Sequence, residues 1–141
     1  MTQVRFRVDI ATGCSIGPGK VNLLEGILET GSLSGAARQL GMSYRRAWLL
    51  LDSLNRSFRE PLTAAIVGGR GGGGVELTAL GRQVIAEYRR LEADIQRLAA
   101  RRMKSVARAA RATESIQTGR KITPRTGARS PKRRGRGSKR P

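Results

Sequence analysis

The chain has no histidine among its 141 residues. That removes imidazole acid–base catalysis, Ser-His and Cys-His nucleophilic pairs and histidine-containing metal sites. Cysteine is almost absent. Cys14 stands alone, so neither an intramolecular disulfide nor a Cys-x-x-Cys zinc or redox site can form, and it reads as a small half-buried residue. Two Phe, two Tyr and one Trp are too few for the base-stacking platforms that single-stranded RNA binders use. No apolar run approaches the roughly 20 residues of a membrane span, and Arg5, Arg7 and Asp9 interrupt the region where a signal peptide would carry its apolar core. These absences predict a protein that is not an enzyme, takes no metal or other cofactor, avoids membranes and works in the cytoplasm.

Acid is scarce as well. Lys and Arg number 28 against 10 Asp and Glu, a net charge of +18, which makes a nucleic acid the default partner and association with the nucleoid the default location. The charge is unevenly spread: residues 1–100 hold 13 basic and 9 acidic side chains, whereas residues 101–141 hold 15 basic side chains and one acid, Glu114. The chain therefore reads as a nearly balanced body of single-domain size followed by a cationic tail. After Val106 the only large apolar residues are Ile116 and Ile122, too few to offset the entropy of ordering, so the tail is expected to be disordered. Residues 101–113 carry enough Ala and Arg to extend a preceding helix against an anion. Beyond them the tail reads either as a sequence-blind nucleic-acid tether or as a solubilising segment without a partner; its Arg134-Gly135-Arg136-Gly137 only faintly resembles an AT-hook.

Within the body, Val4, Phe6, Val8 and Ile10 alternate with charged residues, the period of a strand with one buried face. Thr12-Gly13 turns the chain, and Cys14 to Ile16 can return. Pro18 opens a first helix with Val21, Leu24, Ile27 and Leu28 at helical spacing, and Gly31 stops it. Ser32 or Ser34 can cap a second helix, Gly35 to Leu40, whose Ala36 and Ala37 let another helix come close. Gly41 suits the sharp turn between two helices, and Ser43 is the natural N-cap of a third. Steps of 100° put Ala47, Leu51, Leu54 and Phe58 on one face of that third helix, with Leu50 and Tyr44 flanking, and Arg45, Leu49, Asp52 and Arg56 on the opposite face.

Arg45 and Arg46 fall in the first turn of that helix, where the helix dipole disfavours cations by a few tenths to about 1 kcal/mol. A helix built only for stability would carry acids there. The placement becomes useful if that end meets phosphates or guanine edges, which arginine can bond in bidentate fashion; the bland alternative is a solvated basic face. Trp48, at the border between core and surface, reads either as a packing residue or as one whose indole edge meets a phosphate.

From Pro61 to Leu77 the pattern is a hairpin: Leu62 to Val67, a loop from Gly68 to Gly74 whose only side chain is Arg70, and the return Val75-Glu76-Leu77. Gly69, Gly71 and Gly74 fit the G-x-G-x-x-G spacing, but they lead into a strand and no βαβ unit surrounds them. A hairpin after a recognition helix makes a wing, and Arg70 can reach the backbone or minor groove; a flexible linker is the alternative. Thr78 caps a last helix in which Val84, Tyr88, Leu91, Ile95 and Leu98 recur at steps of four, three, four and three, a coiled-coil seam. Two heptads are too short to stand alone, so the seam either pairs with a twin subunit or packs back on its own domain.

The segments Gly17-Pro18-Gly19-Lys20, Gly31-Ser32-Leu33-Ser34-Gly35-Ala36-Ala37, Ser43-Tyr44-Arg45-Arg46-Ala47-Trp48, the glycine loop 68–74 and Leu77-Thr78-Ala79-Leu80-Gly81 together resemble the N-terminal DNA-binding domain of the molybdate-responsive ModE regulators, relatives of the LysR-type winged helix. The resemblance covers nearly all of residues 17–90. With the strand region read at 1–16 and the basic tail at 101–141, it implies a mainly α fold with a small β component, a winged helix-turn-helix over 1–100 with its wing at 61–77 and a dimerisation helix at 78–100. It implies a sequence-specific transcription regulator that binds double-stranded DNA as a homodimer. Ser32, Ser34, Ser43, Tyr44, Arg45, Arg46, Trp48, Leu49, Arg56 and Arg70 are the candidate DNA contacts, and Val84, Tyr88, Leu91, Ile95 and Leu98 the candidate dimer contacts. Nothing after residue 100 resembles the family's oxyanion-sensing domains, so no bound molybdate is expected. The competing expectation is an architectural, nucleoid-type protein dominated by its tail.

Overall fold

The computed structural model describes residues 2–68 and 73–111. Arg70 and the rest of 69–72, and the tail from residue 112 with the disorder expected of it, lie outside the described residues. The described residues up to Ala110 form one compact unit.

The body is mainly helical. Strand β1 (Val8–Ala11) turns through Gly13 into β2 (Cys14–Ile16), antiparallel. Helix α1 (Pro18–Thr30) follows, with proline in its first turn, and ends where the Gly31 N–H donates to the Ile27 carbonyl at 2.8 Å. Helix α2 (Leu33–Gln39) is capped by Ser32, whose hydroxyl accepts from the Gly35 N–H at 3.0 Å. Gly41, at φ 65°, makes the tight turn that a side chain would strain, and α3 (Tyr44–Ser57) starts at Ser43, whose hydroxyl accepts from the Arg46 N–H at 3.2 Å. Strands β3 (Thr63–Ile66) and β4 (Gly74–Leu77) pair antiparallel from Thr63–Leu77 to Ile66–Gly74. Thr78 then caps α4 (Ala79–Arg102), accepting from the Gly81 N–H at 3.2 Å.

The core gathers Ile16, Val21, Leu23, Leu24, Ile27, Leu33, Ala36, Ala37, Ala47, Leu51, Leu54, Leu62, Leu77 and Tyr88. Helix α1 is the central element, touching α2, α3, β4 and α4. This explains one departure from the expected pattern. Leu28, one of the apolar residues at helical spacing, is 52% exposed, while Leu23, outside that spacing, is wholly buried because a helix with neighbours on several sides buries more than one stripe.

Two other expectations are corrected. The N-terminal strand is shorter than the alternation from Val4 suggests, because β2 is only three residues long and offers no partner before Val8. Residues 4–7 run along α4 instead: the Val4 N–H donates to Gln96 Oε1 at 2.9 Å, the Tyr88 hydroxyl donates to the Phe6 carbonyl at 2.9 Å, and the two rings stack at 4.9 Å. Ile10, expected on the buried face, is exposed. Helix also continues past residue 100, through the end of α4 and into α5 (Lys104–Ala109), fully exposed; the alanines and arginines there carry high helix propensity.

Candidate nucleic-acid interface

The outward side of α3 is built by the pattern that buries its inner side. Ala47, Leu51 and Leu54 are held in the core, and the 100° step then forces Arg45, Leu49, Asp52 and Arg56 outward. The first two turns expose Tyr44, Arg45, Arg46, Trp48 and Leu49 together with the cap Ser43. Trp48 is 48% exposed and absent from the core, so it is a surface residue. Among the described residues, neither Arg45 nor Arg46 has a carboxylate within 4.0 Å. Two uncompensated guanidinium groups at a helix N-terminus form a cationic end that anions can approach.

Arg56 differs. Its Nε meets Asp52 Oδ2 at 3.0 Å one turn earlier, so its charge is partly answered within α3. Ser32 is half-buried and its hydroxyl is engaged as a cap; Ser34 caps nothing and is exposed. Arg70 lies among the residues not described.

Two links hold the wing against the helices. The Val75 N–H of β4 donates to the Gly31 carbonyl, in the turn between α1 and α2, at 3.0 Å. Asn55, in the last turn of α3, accepts from the Leu62 and Thr63 N–H groups at 2.9 and 3.3 Å and donates to the Thr63 hydroxyl at 3.0 Å. These hydrogen bonds tie the hairpin strands to α3 and to the turn before α2. Asn55 escaped the sequence reading; its only signal was a polar side chain near a helix end, which is commonplace.

The α4 seam is divided. Tyr88 is buried against Phe6, and burial pushes its phenol pKa up. Val84 packs at the margin of the same core, Ile95 is half-buried, and Leu91 and Leu98 are exposed. Between the first hairpin and α4 opens an apolar cleft of about 230 Å³, lined among others by Val8, Ile10, Leu80, Val84 and Leu91. A second residue missed in the sequence, Arg89, joins α4 to α1: it bonds both oxygens of Glu25, with Asn22 and Glu92 completing its shell. The guanidinium holds the Glu25 carboxyl below its ordinary range against the opposing effect of burial, and Arg89 itself is held further toward its charged form.

Among the described residues no cluster of His, Cys, Asp and Glu could hold a metal ion, and no helix is long and apolar enough to cross a membrane.

Residues 20–82 match the bacterial regulatory helix-turn-helix protein, lysR family, a stretch that runs from α1 into the start of α4. Its curated relatives are more specific. The chain is 39% identical over 100 residues to the molybdenum transport protein ModE of Azotobacter vinelandii, covering 68% of this chain and 37% of that protein. It is 38% identical over 71 residues to the DNA-binding transcriptional dual regulator ModE of Escherichia coli strain K12, covering 50% of this chain and 27% of that protein. The similarity to the ModE proteins is confined to this region, and the chain spans well under half the length of these relatives. The DNA-binding domain of CbnR, solved in complex with DNA, aligns with 66% of this chain and 97% of its own at 25% identity and a TM-score of 0.46, which adds nothing to the fold already described.

Proposed function

We propose that the chain is a sequence-specific transcription regulator of the ModE type, which reads double-stranded DNA with the N-terminal half of α3. The observation that carries this reading is the pair Arg45 and Arg46, exposed in the first turn of a helix whose far side is anchored in the core, where charge alone would favour acids. Major-groove readers present the recognition helix by its N-terminal residues. Ser43, Tyr44, Trp48 and Leu49 flank the arginines, Ser32, Ser34 and Arg56 lie toward the rim, and Arg70 is placed by its sequence position on the wing loop.

The protein works as a homodimer in this reading. Leu91 and Leu98 are apolar and exposed on α4, and Leu91 also lines the apolar cleft, a surface that a second copy would remove from water. Val84, Tyr88 and Ile95 serve that interface from behind, Tyr88 through its packing on Phe6. The basic segment after residue 100 adds sequence-blind affinity that falls steeply with salt.

Footprinting on genomic fragments with and without residues 101–141 tests the reading. Discrete palindromic protection by the shortened chain supports it. Protection that disappears with the tail, leaving only a salt-sensitive affinity indifferent to sequence, overturns it in favour of an architectural protein.

A further inference from the structure

The outward patch of α3 is not simply basic. Tyr44 is 58%, Trp48 48% and Leu49 50% exposed, three large apolar side chains in the first six residues of one helix. Leu49 is the most pointed case. It lies four residues after Arg45 and three after Arg46, so it adjoins both guanidinium groups on the helix surface. Solvated faces of helices carry polar residues, and the next residue along this face, Asp52, is polar and already bonded to Arg56.

A leucine set between two cations without carboxylate partners suits a partner that is anionic around its edge and apolar at one point of its floor. The DNA major groove has that chemistry. Phosphates line its rims, and the thymine 5-methyl group is the apolar feature its base edges present. The geometry points to Leu49 as a specificity residue that contacts a thymine 5-methyl group, beside the base edges offered to Arg45 and Arg46. The inference rests on the reading of α3 as the groove helix and adds to it the base that Leu49 recognises.

The test uses the full chain and a duplex recovered by in vitro selection. Each thymine is replaced in turn by deoxyuridine, which removes the methyl group and leaves every hydrogen-bonding group in place. At one thymine in each half-site the replacement is expected to weaken wild-type binding about fourfold, the effect of one buried methyl-sized group. The same replacement has no effect on Leu49→Ala, whereas Leu49→Met, which keeps an apolar tip, still discriminates. Circular dichroism checks that both variants remain helical. A wild-type protein indifferent to deoxyuridine at every position overturns the inference, as does an equal loss in wild type and Leu49→Ala. In both cases a discrete selected site leaves α3 in the groove. Recovery of no discrete site overturns that placement as well.

Discussion

Arg89 and Glu25, 64 residues apart in the sequence, meet in a two-point ion pair: Nε donates to Oε1 at 2.7 Å and Nη2 to Oε2 at 2.8 Å. The same guanidinium donates to Asn22 at 2.8 Å and Glu92 at 2.9 Å. The pair fixes the long helix α4 against α1, the helix on which α2 and α3 pack. Any partner held by α4 is thereby placed relative to α3.

Acid should release this tie. Because Arg89 lowers the Glu25 pKa in the folded protein, the stability it contributes is complete above the ordinary value of 4.5 and is lost as pH falls through the lowered one. Urea unfolding of wild type and Glu25→Gln should therefore differ by about 1 kcal/mol at neutral pH, and the difference should shrink below pH 4.5. A gap that stays constant into acid would contradict the assignment.

Asn55→Ala removes the acceptor shared by the Leu62 and Thr63 N–H groups. A loss of about 1–3 kcal/mol is expected from these unpaired donors, with faster amide exchange at Leu62 and Thr63. Asn55→Asp keeps the acceptor oxygen and should lose less. Unchanged exchange at both amides in Asn55→Ala would show that the wing is held otherwise.

Two glycines should respond oppositely to alanine. At Gly81 a Cβ would lie 2.2 Å from the Leu62 carbonyl oxygen, a backbone atom, whereas at Gly19 it meets nothing within 4 Å. Gly81→Ala should destabilise by about 1–3 kcal/mol through overpacking, while Gly19→Ala, in the first turn of α1, should gain about 0.5 kcal/mol. Thermal unfolding of both variants decides it, and equal Tm values would refute the close packing of α4 on Leu62.

Elements set by local chemistry were legible in the sequence. Ser32 and Ser43 cap helices through the N–H three residues on, Gly41 turns with positive φ, and the apolar spacing of α3 by itself puts Leu49 outside. Contacts that cross the chain left no such trace. Nothing in the neighbourhood of Arg89 marks Glu25 as its partner, since both occur in ordinary-looking polar positions of amphipathic helices. Leu28 and Leu23 are equally apolar, and only the central position of α1 decides which is buried. Likewise the alternation from Val4 to Ile10 is a sound strand pattern, but a strand also needs a partner, and β2 is too short to supply one beyond Val8. Trp48 lay on the boundary between two faces, where small rotations decide exposure.

The most direct test compares in vitro selection by the full wild-type chain and by Arg45→Ala at one fixed salt concentration. Wild type is expected to select a two-fold symmetric site and the variant the same site with preference relaxed at one base pair in each half, whereas removing basic tail residues weakens all sequences alike and reduces the salt slope. Identical preferences in wild type and Arg45→Ala, or no preference in either, would contradict it.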